Sequence, residues 1–137
     1  MVQSEYMKKE SKWIHAEISD FDNLPETPAI YLVVADTITN QYLVLYVGDA
    51  DNIKEKLQRH HLRSKSKTQL TSFITNYQGA VSIFYFEDDK SLIGGHKKYL
   101  INRFQPQLQD DVPNTAPINI KIPKKVIKGK LNRRYFE

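Results

Sequence analysis

From Ala29 the chain reads Ala-Ile-Tyr-Leu-Val-Val-Ala before Asp36, the pattern of a buried strand. Thr37 to Gln41 supplies turn residues, and a second apolar run follows from Tyr42 to Val47. The two runs predict a β-hairpin. Gly48-Asp49-Ala50-Asp51 leaves the sheet, and Asn52 with Glu55 three residues on forms a capping box whose N-cap is Asn. Ile53, Leu57 and His60 or His61 then share one face of a helix running to Arg63. Leu70, Phe73, Ile74 and Tyr77 repeat the helical spacing and stop near Gly79. Val81, Ile83 and Tyr85, interleaved with Phe84 and Phe86, predict a third strand. Leu92, Ile93, His96, Tyr99, Leu100 and Phe104 predict a third helix closed by Pro106.

The predicted architecture is α/β (α+β): a small, mainly antiparallel three-stranded sheet flanked by helices, in the order β-β-α-α-β-α. Gly94-Gly95 inside the last helix costs about 1 kcal/mol per glycine relative to alanine, which leaves two readings open, close backbone packing or a late helix start. The first twenty-odd residues are polar apart from Tyr6, Met7, Trp13 and Ile14. Trp13-Ile14 is expected to dock on the core, and Asp20, Asp22, Asn23 and Pro25 end that arm. Asp110 to Pro117 marks a second boundary, beyond which Ile118, Ile120 and Ile122 alternate with polar residues as an edge strand would. The division expected is an arm over 1–24, a compact unit over 25–110 and a basic extension over 111–137.

With 137 residues the chain suits one domain. No apolar run is long enough to span a bilayer and the N-terminus lacks a secretory stretch, so a soluble cytoplasmic protein with no membrane partner is expected. The chain has no cysteine, and its four histidines at 15, 60, 61 and 96 lack a metal-ligand spacing, so no structural metal is expected. Charge is uneven: residues 1–116 hold thirteen basic and fifteen acidic side chains, residues 117–137 seven basic and one acidic. A concentrated basic segment draws polyanions by releasing their counterions, which makes nucleic acid the first partner to consider. Lys124, Lys125, Lys128, Arg133 and Arg134 are the candidate phosphate contacts there.

Ala29-Ile30-Tyr31 and Tyr46-Val47-Gly48, with fourteen residues between the tyrosines and a helix opening at Asn52-Ile53, resemble the signature of the GIY-YIG nucleases. The resemblance covers about residues 24–109. Ala29 replaces the first glycine of the motif. The arginine eight residues after the last glycine falls on Lys56, with Arg59 one turn away, and the Tyr or His twelve after it falls on His60. Leu100-Ile101 and Pro106 align with the later motif, whose final Asn is Gln109, and the metal-binding glutamate nine residues before the proline is Lys97.

The resemblance implies a phosphodiesterase cleft. Tyr31 and Tyr46 would flank the attacking water, His60 would relay a proton, and Lys56 would face phosphate with charge but without the bidentate geometry of arginine. Mg²⁺ or Mn²⁺ would be needed for catalysis, and Lys97 repels the cation that a glutamate would hold. At about 4 Å and an effective dielectric near 20 two unit charges interact by roughly 4 kcal/mol, and a divalent ion doubles that. The resulting expectation is a nucleic-acid-binding domain, DNA ahead of RNA, with cleavage lost or weak, no resident cofactor, and Lys56, Arg59 and Lys97 joining the tail on phosphate. Two alternatives stand beside it: an active endonuclease recruiting a displaced acid among Glu87, Asp88 and Asp89, and a protein-interaction module on a vestigial nuclease scaffold.

Overall fold

A computed structural model describes residues 12–37, 39–58 and 81–130. Its centre is the hairpin of β2 (Ala29–Asp36) and β3 (Tyr42–Ala50), closed by a turn in which Asn40 takes φ 63° and the Thr37 N–H donates to the Gln41 carbonyl. The third strand, β4 (Val81–Glu87), pairs antiparallel with the other side of β2. The sheet is five-stranded rather than three-stranded. A strand β1 (Ile14–Glu17) adds antiparallel to β4, a short β5 (Val126–Ile127) adds parallel to β3, and the order is β1-β4-β2-β3-β5.

Both extra strands come from segments whose sequence cues are short. β1 is four residues long and starts at Ile14, directly after Trp13, and a 3₁₀ helix over Ile18–Asn23 follows it; Trp13 packs on the core as expected, whereas Ile14 is exposed. The alternating Ile118, Ile120 and Ile122 do not form an edge strand. The Ile118 N–H instead donates to the Gly95 carbonyl, Ile120 and Ile122 pack on the core, and pairing begins only at Val126. Ile14–Glu17 and Val126–Ile127 therefore belong to the same sheet as the hairpin.

α1 (Ile53–Lys56) starts where the capping box predicts, with the Glu55 N–H donating to Asn52 Oδ1 at 3.0 Å. The predicted helix over Leu70 to Tyr77 and its Gly79 stop lie outside the described residues, as do Tyr6 and Met7. α2 (Lys90–Phe104) begins at the N-cap Asp89 and ends in a left-handed Gln105 before Pro106. Since α2 starts before Gly94-Gly95, close packing is the reading that holds, and it holds for Gly95; a Cβ on Gly94 would make ordinary contact with Thr115 at 3.6 Å. A Cβ on Gly95 would stand 2.4 Å from the Ile118 side chain, so glycine at this position lets Ile118 lie against the helix.

Each face of the sheet has its own core. α2 covers Ile30, Leu32, Val34, Val44 and Val47 with Ile93, Leu100, Ile101 and Phe104. The opposite face gathers Tyr31, Val33, Leu45, Tyr46, Ile83 and Tyr85 with Phe21, Leu24, Ile53, Leu57 and Leu108. Among the described residues no helix is long and apolar enough to cross a membrane.

Candidate functional site

Strict alternation from the hairpin turn would set Tyr46 opposite Leu32, on the face that α2 covers. A β-bulge prevents this. The pairs run Asp36↔Tyr42, Ala35↔Leu43 and Val34↔Val44, then skip to Val33↔Tyr46, Leu32↔Val47 and Tyr31↔Gly48. The extra residue places Leu45 and Tyr46 in succession on the same face and moves Tyr46 to the side of Tyr31. Their ring centroids are 6.3 Å apart. Gly48, directly across from Tyr31, lies beneath that ring, and a Cβ there would come within 2.2 Å of Tyr31 Cζ.

The rest of the cleft closes around Tyr46. Its hydroxyl donates to Asp111 Oδ1 at 2.9 Å. The other Asp111 oxygen accepts from Lys97 Nζ at 2.5 Å, and the same ammonium donates to Asp49 Oδ1 at 2.8 Å. Lys97 is only 4 % exposed, so the lysine expected to face phosphate or solvent is an interior cation between two carboxylates. Lys56, half-buried 6.0 Å from the centroid of Tyr31, donates to the Asp49 carbonyl at 2.5 Å. Gln109 holds the floor. Its Oε1 accepts from the Val47 N–H at 2.8 Å, while Nε2 donates to the Val47 carbonyl at 3.0 Å and to the Asp111 carbonyl at 2.8 Å. With the Leu108 N–H donating to Leu45, this amide fixes the 108–111 segment along β3 and carries Asp111 to Tyr46 and Lys97.

The electrostatics follow from these contacts. Burial pushes the Tyr31 hydroxyl well above the ordinary tyrosine pKa, helped by Tyr46, Asp49, Asp111 and Asp110. Burial also raises Tyr46, and the hydrogen bond to Asp111 adds to it, so neither ring is a tyrosinate at neutral pH. Burial works to lower Lys97, but the hydrogen bonds and charges of Asp111 and Asp49 outweigh it and hold the ammonium above the usual lysine value. For Asp111 burial works upward, yet Lys97, Tyr46 and Asp110 together keep the carboxyl below its ordinary value. Burial lowers Lys56, and Lys97 adds to that against the opposing Asp49, Asp111 and Asp51.

These donors do not fit a divalent cation. Asp49 and Asp111 face the cleft, and an ammonium already sits in hydrogen-bond contact with both. Among the described residues no three His, Asp or Glu side chains converge as metal ligands. The acids considered as displaced ligands are engaged elsewhere. Glu87 accepts from Thr27 Oγ1 at 2.8 Å, Asp88 meets His96 Nδ1 at 2.6 Å, and Asp89 caps α2 through Ser91.

Of the residues singled out from the sequence, the fold brings together Tyr31, Tyr46, Lys56 and Lys97. His60, Arg59, Arg133 and Arg134 lie outside the described residues. Lys124, Lys125 and Lys128 are exposed around β5, which pairs with Tyr42 and Leu43 at the far end of β3 from the cleft. Seven residues of strand separate Tyr42 from Asp49, roughly 20 Å. Asp49 and Asp111 complete the cleft without being among the candidate residues of the sequence. Asp49 follows the motif glycine directly, a usable signal, whereas Asp111 lies in a boundary segment that reads as a linker. No family model matches the chain, and no curated protein or solved structure does so either.

Proposed function

We propose that the chain is a nucleic-acid-binding domain on a GIY-YIG-like scaffold, with DNA ahead of RNA as ligand and with cleavage lost or weak. The observation that carries this reading is Lys97, held between Asp49 and Asp111 where such a scaffold needs an acid facing a metal ion. A divalent cation at those carboxylates would meet the ammonium at close range, against a repulsion of several kcal/mol. The raised tyrosine pKa values weaken the other half of the chemistry, since a base for water must shed its own proton first. Lys97 is engaged by Asp49 and Asp111, so phosphate contacts fall to side chains with free access to solvent. Lys121, Lys124, Lys125, Lys128 and Lys130 are all exposed within ten residues, and among the described residues none lies within ion-pair distance of a carboxylate.

Electrophoretic mobility shift with DNA and RNA, single-stranded and duplex, in the presence of Mg²⁺ or Mn²⁺, tests both halves. Retarded bands without cut products are the expected result. Efficient metal-dependent cutting would overturn the loss of catalysis, and no retardation of any substrate would overturn nucleic-acid binding.

A further inference from the structure

The α2-covered face carries, at its β1 side, an aromatic cluster that the tyrosine cleft does not use. His15 on β1 stacks on Phe84 of β4, with centroids 4.6 Å apart and planes inclined by 25°. Tyr42 closes the group at 5.0 Å from His15 and 5.1 Å from Phe84, and Trp13 lies 5.4 Å from Phe86. Phe84 and Phe86 are buried, Trp13 and Tyr42 partly so, and His15 is exposed. The imidazole rests on Phe84 while the residue as a whole stays exposed.

His15 is also fixed in place. Its Nε2 is 2.8 Å from Ser82 Oγ, and Ser82 is 1 % exposed, so a buried hydroxyl and a stacked ring set the orientation of a surface aromatic. A platform ordered in advance loses little entropy when a second ring stacks on it. Its rim is basic. Trp13 Nε1 donates to the Lys121 carbonyl at 2.6 Å and the Tyr42 N–H donates to the Lys125 carbonyl at 2.8 Å, which ties the lysine segment to the edge of the cluster. Lys12, Lys121, Lys124 and Lys125 are exposed there, against the exposed Glu17 and Asp36 on the same stretch of sheet.

We propose that this face binds single-stranded nucleic acid, a base stacking on His15 beside Tyr42 while phosphates meet Lys121, Lys124 and Lys125. The inference rests on the nucleic-acid reading above and adds the face and the strand state. Flat rings beside ammonium groups match a chain that alternates planar bases with phosphates, and only an unpaired strand can offer the flat face of a base. A duplex would satisfy the lysines but leave the platform idle.

The test compares a thymine 12-mer with a duplex of equal length by fluorescence anisotropy, and follows the emission of Trp13, the single tryptophan of the chain. The single strand is expected to bind the more tightly and to quench Trp13. His15→Leu should weaken single-strand binding about tenfold, while His15→Phe, which keeps a ring, stays within about threefold of wild type. Tight single-strand binding that neither quenches Trp13 nor responds to His15→Leu would overturn this site and leave the nucleic-acid reading standing. Binding of neither substrate would remove both. If His15→Leu fails to fold, quenching in the unaltered chain decides.

Discussion

Replacing Lys97 by methionine isolates the charge of the buried ammonium, since the thioether keeps most of the aliphatic volume. Wild-type Lys97 makes two charge-assisted hydrogen bonds, to Asp111 at 2.5 Å and to Asp49 at 2.8 Å. A bond of that kind contributes about 1.5–3 kcal/mol when desolvated. The acceptor side chains are 54 % and 41 % exposed and recover water once the ammonium is gone, which reduces the loss by about half. Lys97→Met is therefore expected to cost about 2 kcal/mol, against less than about 0.5 kcal/mol for a solvent-facing lysine. Urea denaturation at pH 7 reads the difference, and a double-mutant cycle with Asp111→Asn should give a coupling of about 1 kcal/mol. The pH dependence has a definite sign. Asp111 titrates below its unfolded value, so its contribution is present above about pH 4 and is lost as pH falls through the folded value. Asp110, raised by burial and by Asp111, offsets part of that acid loss. Lys97 titrates above the ordinary lysine value, so its contribution holds below about pH 10.5 and is lost on going higher. The gap between wild type and Lys97→Met should therefore shrink below pH 4. A variant within about 0.5 kcal/mol of wild type, or a coupling of zero, would mean that Lys97 is not the counter-ion of Asp111 and Asp49 in the folded state.

Gly48→Ala drives a methyl group into the Tyr31 ring and should cost about 1–3 kcal/mol in denaturant unfolding, with a smaller cost in a Tyr31→Leu background where the ring is gone. Gly95→Ala should destabilise by a similar amount and be partly relieved by Ile118→Ala, because the clash is with that side chain; equal costs in both backgrounds would show that the 115–118 segment does not rest on α2. Neutralising Lys124, Lys125, Lys128, Arg133 and Arg134 together should flatten the plot of log duplex affinity against log salt by about 2 to 4, at about 0.9 per phosphate contact. An unchanged slope would remove this segment from the interface.

The elements with strong local signals were legible. The apolar runs of β2, β3 and β4 and the capping of α1 by Asn52 were legible, because burial and a single side-chain contact determine each of them, but β3 runs past Val47 to Ala50: Gly48, Asp49 and Ala50, expected to leave the sheet, pair with Tyr31, Ile30 and Ala29. β1 and β5 were not legible, since four and two residues carry too little pattern and are extended only because a neighbouring edge offers them hydrogen bonds. Ile118, Ile120 and Ile122 misled for a related reason. Alternation signals a surface apolar on one side, and it does not say whether a helix or a sheet will cover it.

The cleft shows the same division more sharply. Its two tyrosines are visible in the sequence, but their meeting depends on a bulge that adds one residue to β3, which no periodic pattern announces. Lys97 stood out only through the resemblance, as a lysine where an acid was expected, while its partner Asp111 was hidden because it is delivered by the Gln109 amide clamped on Val47 and not by any regular element. A lysine in place of an acid reads, in one dimension, as a positive charge offered to phosphate. In three dimensions its charge is already matched by Asp49 and Asp111, so it acts as the internal counter-ion of the cleft. That distinction moves the expected phosphate contacts away from the tyrosines and toward the exposed lysines beside His15 and Tyr42.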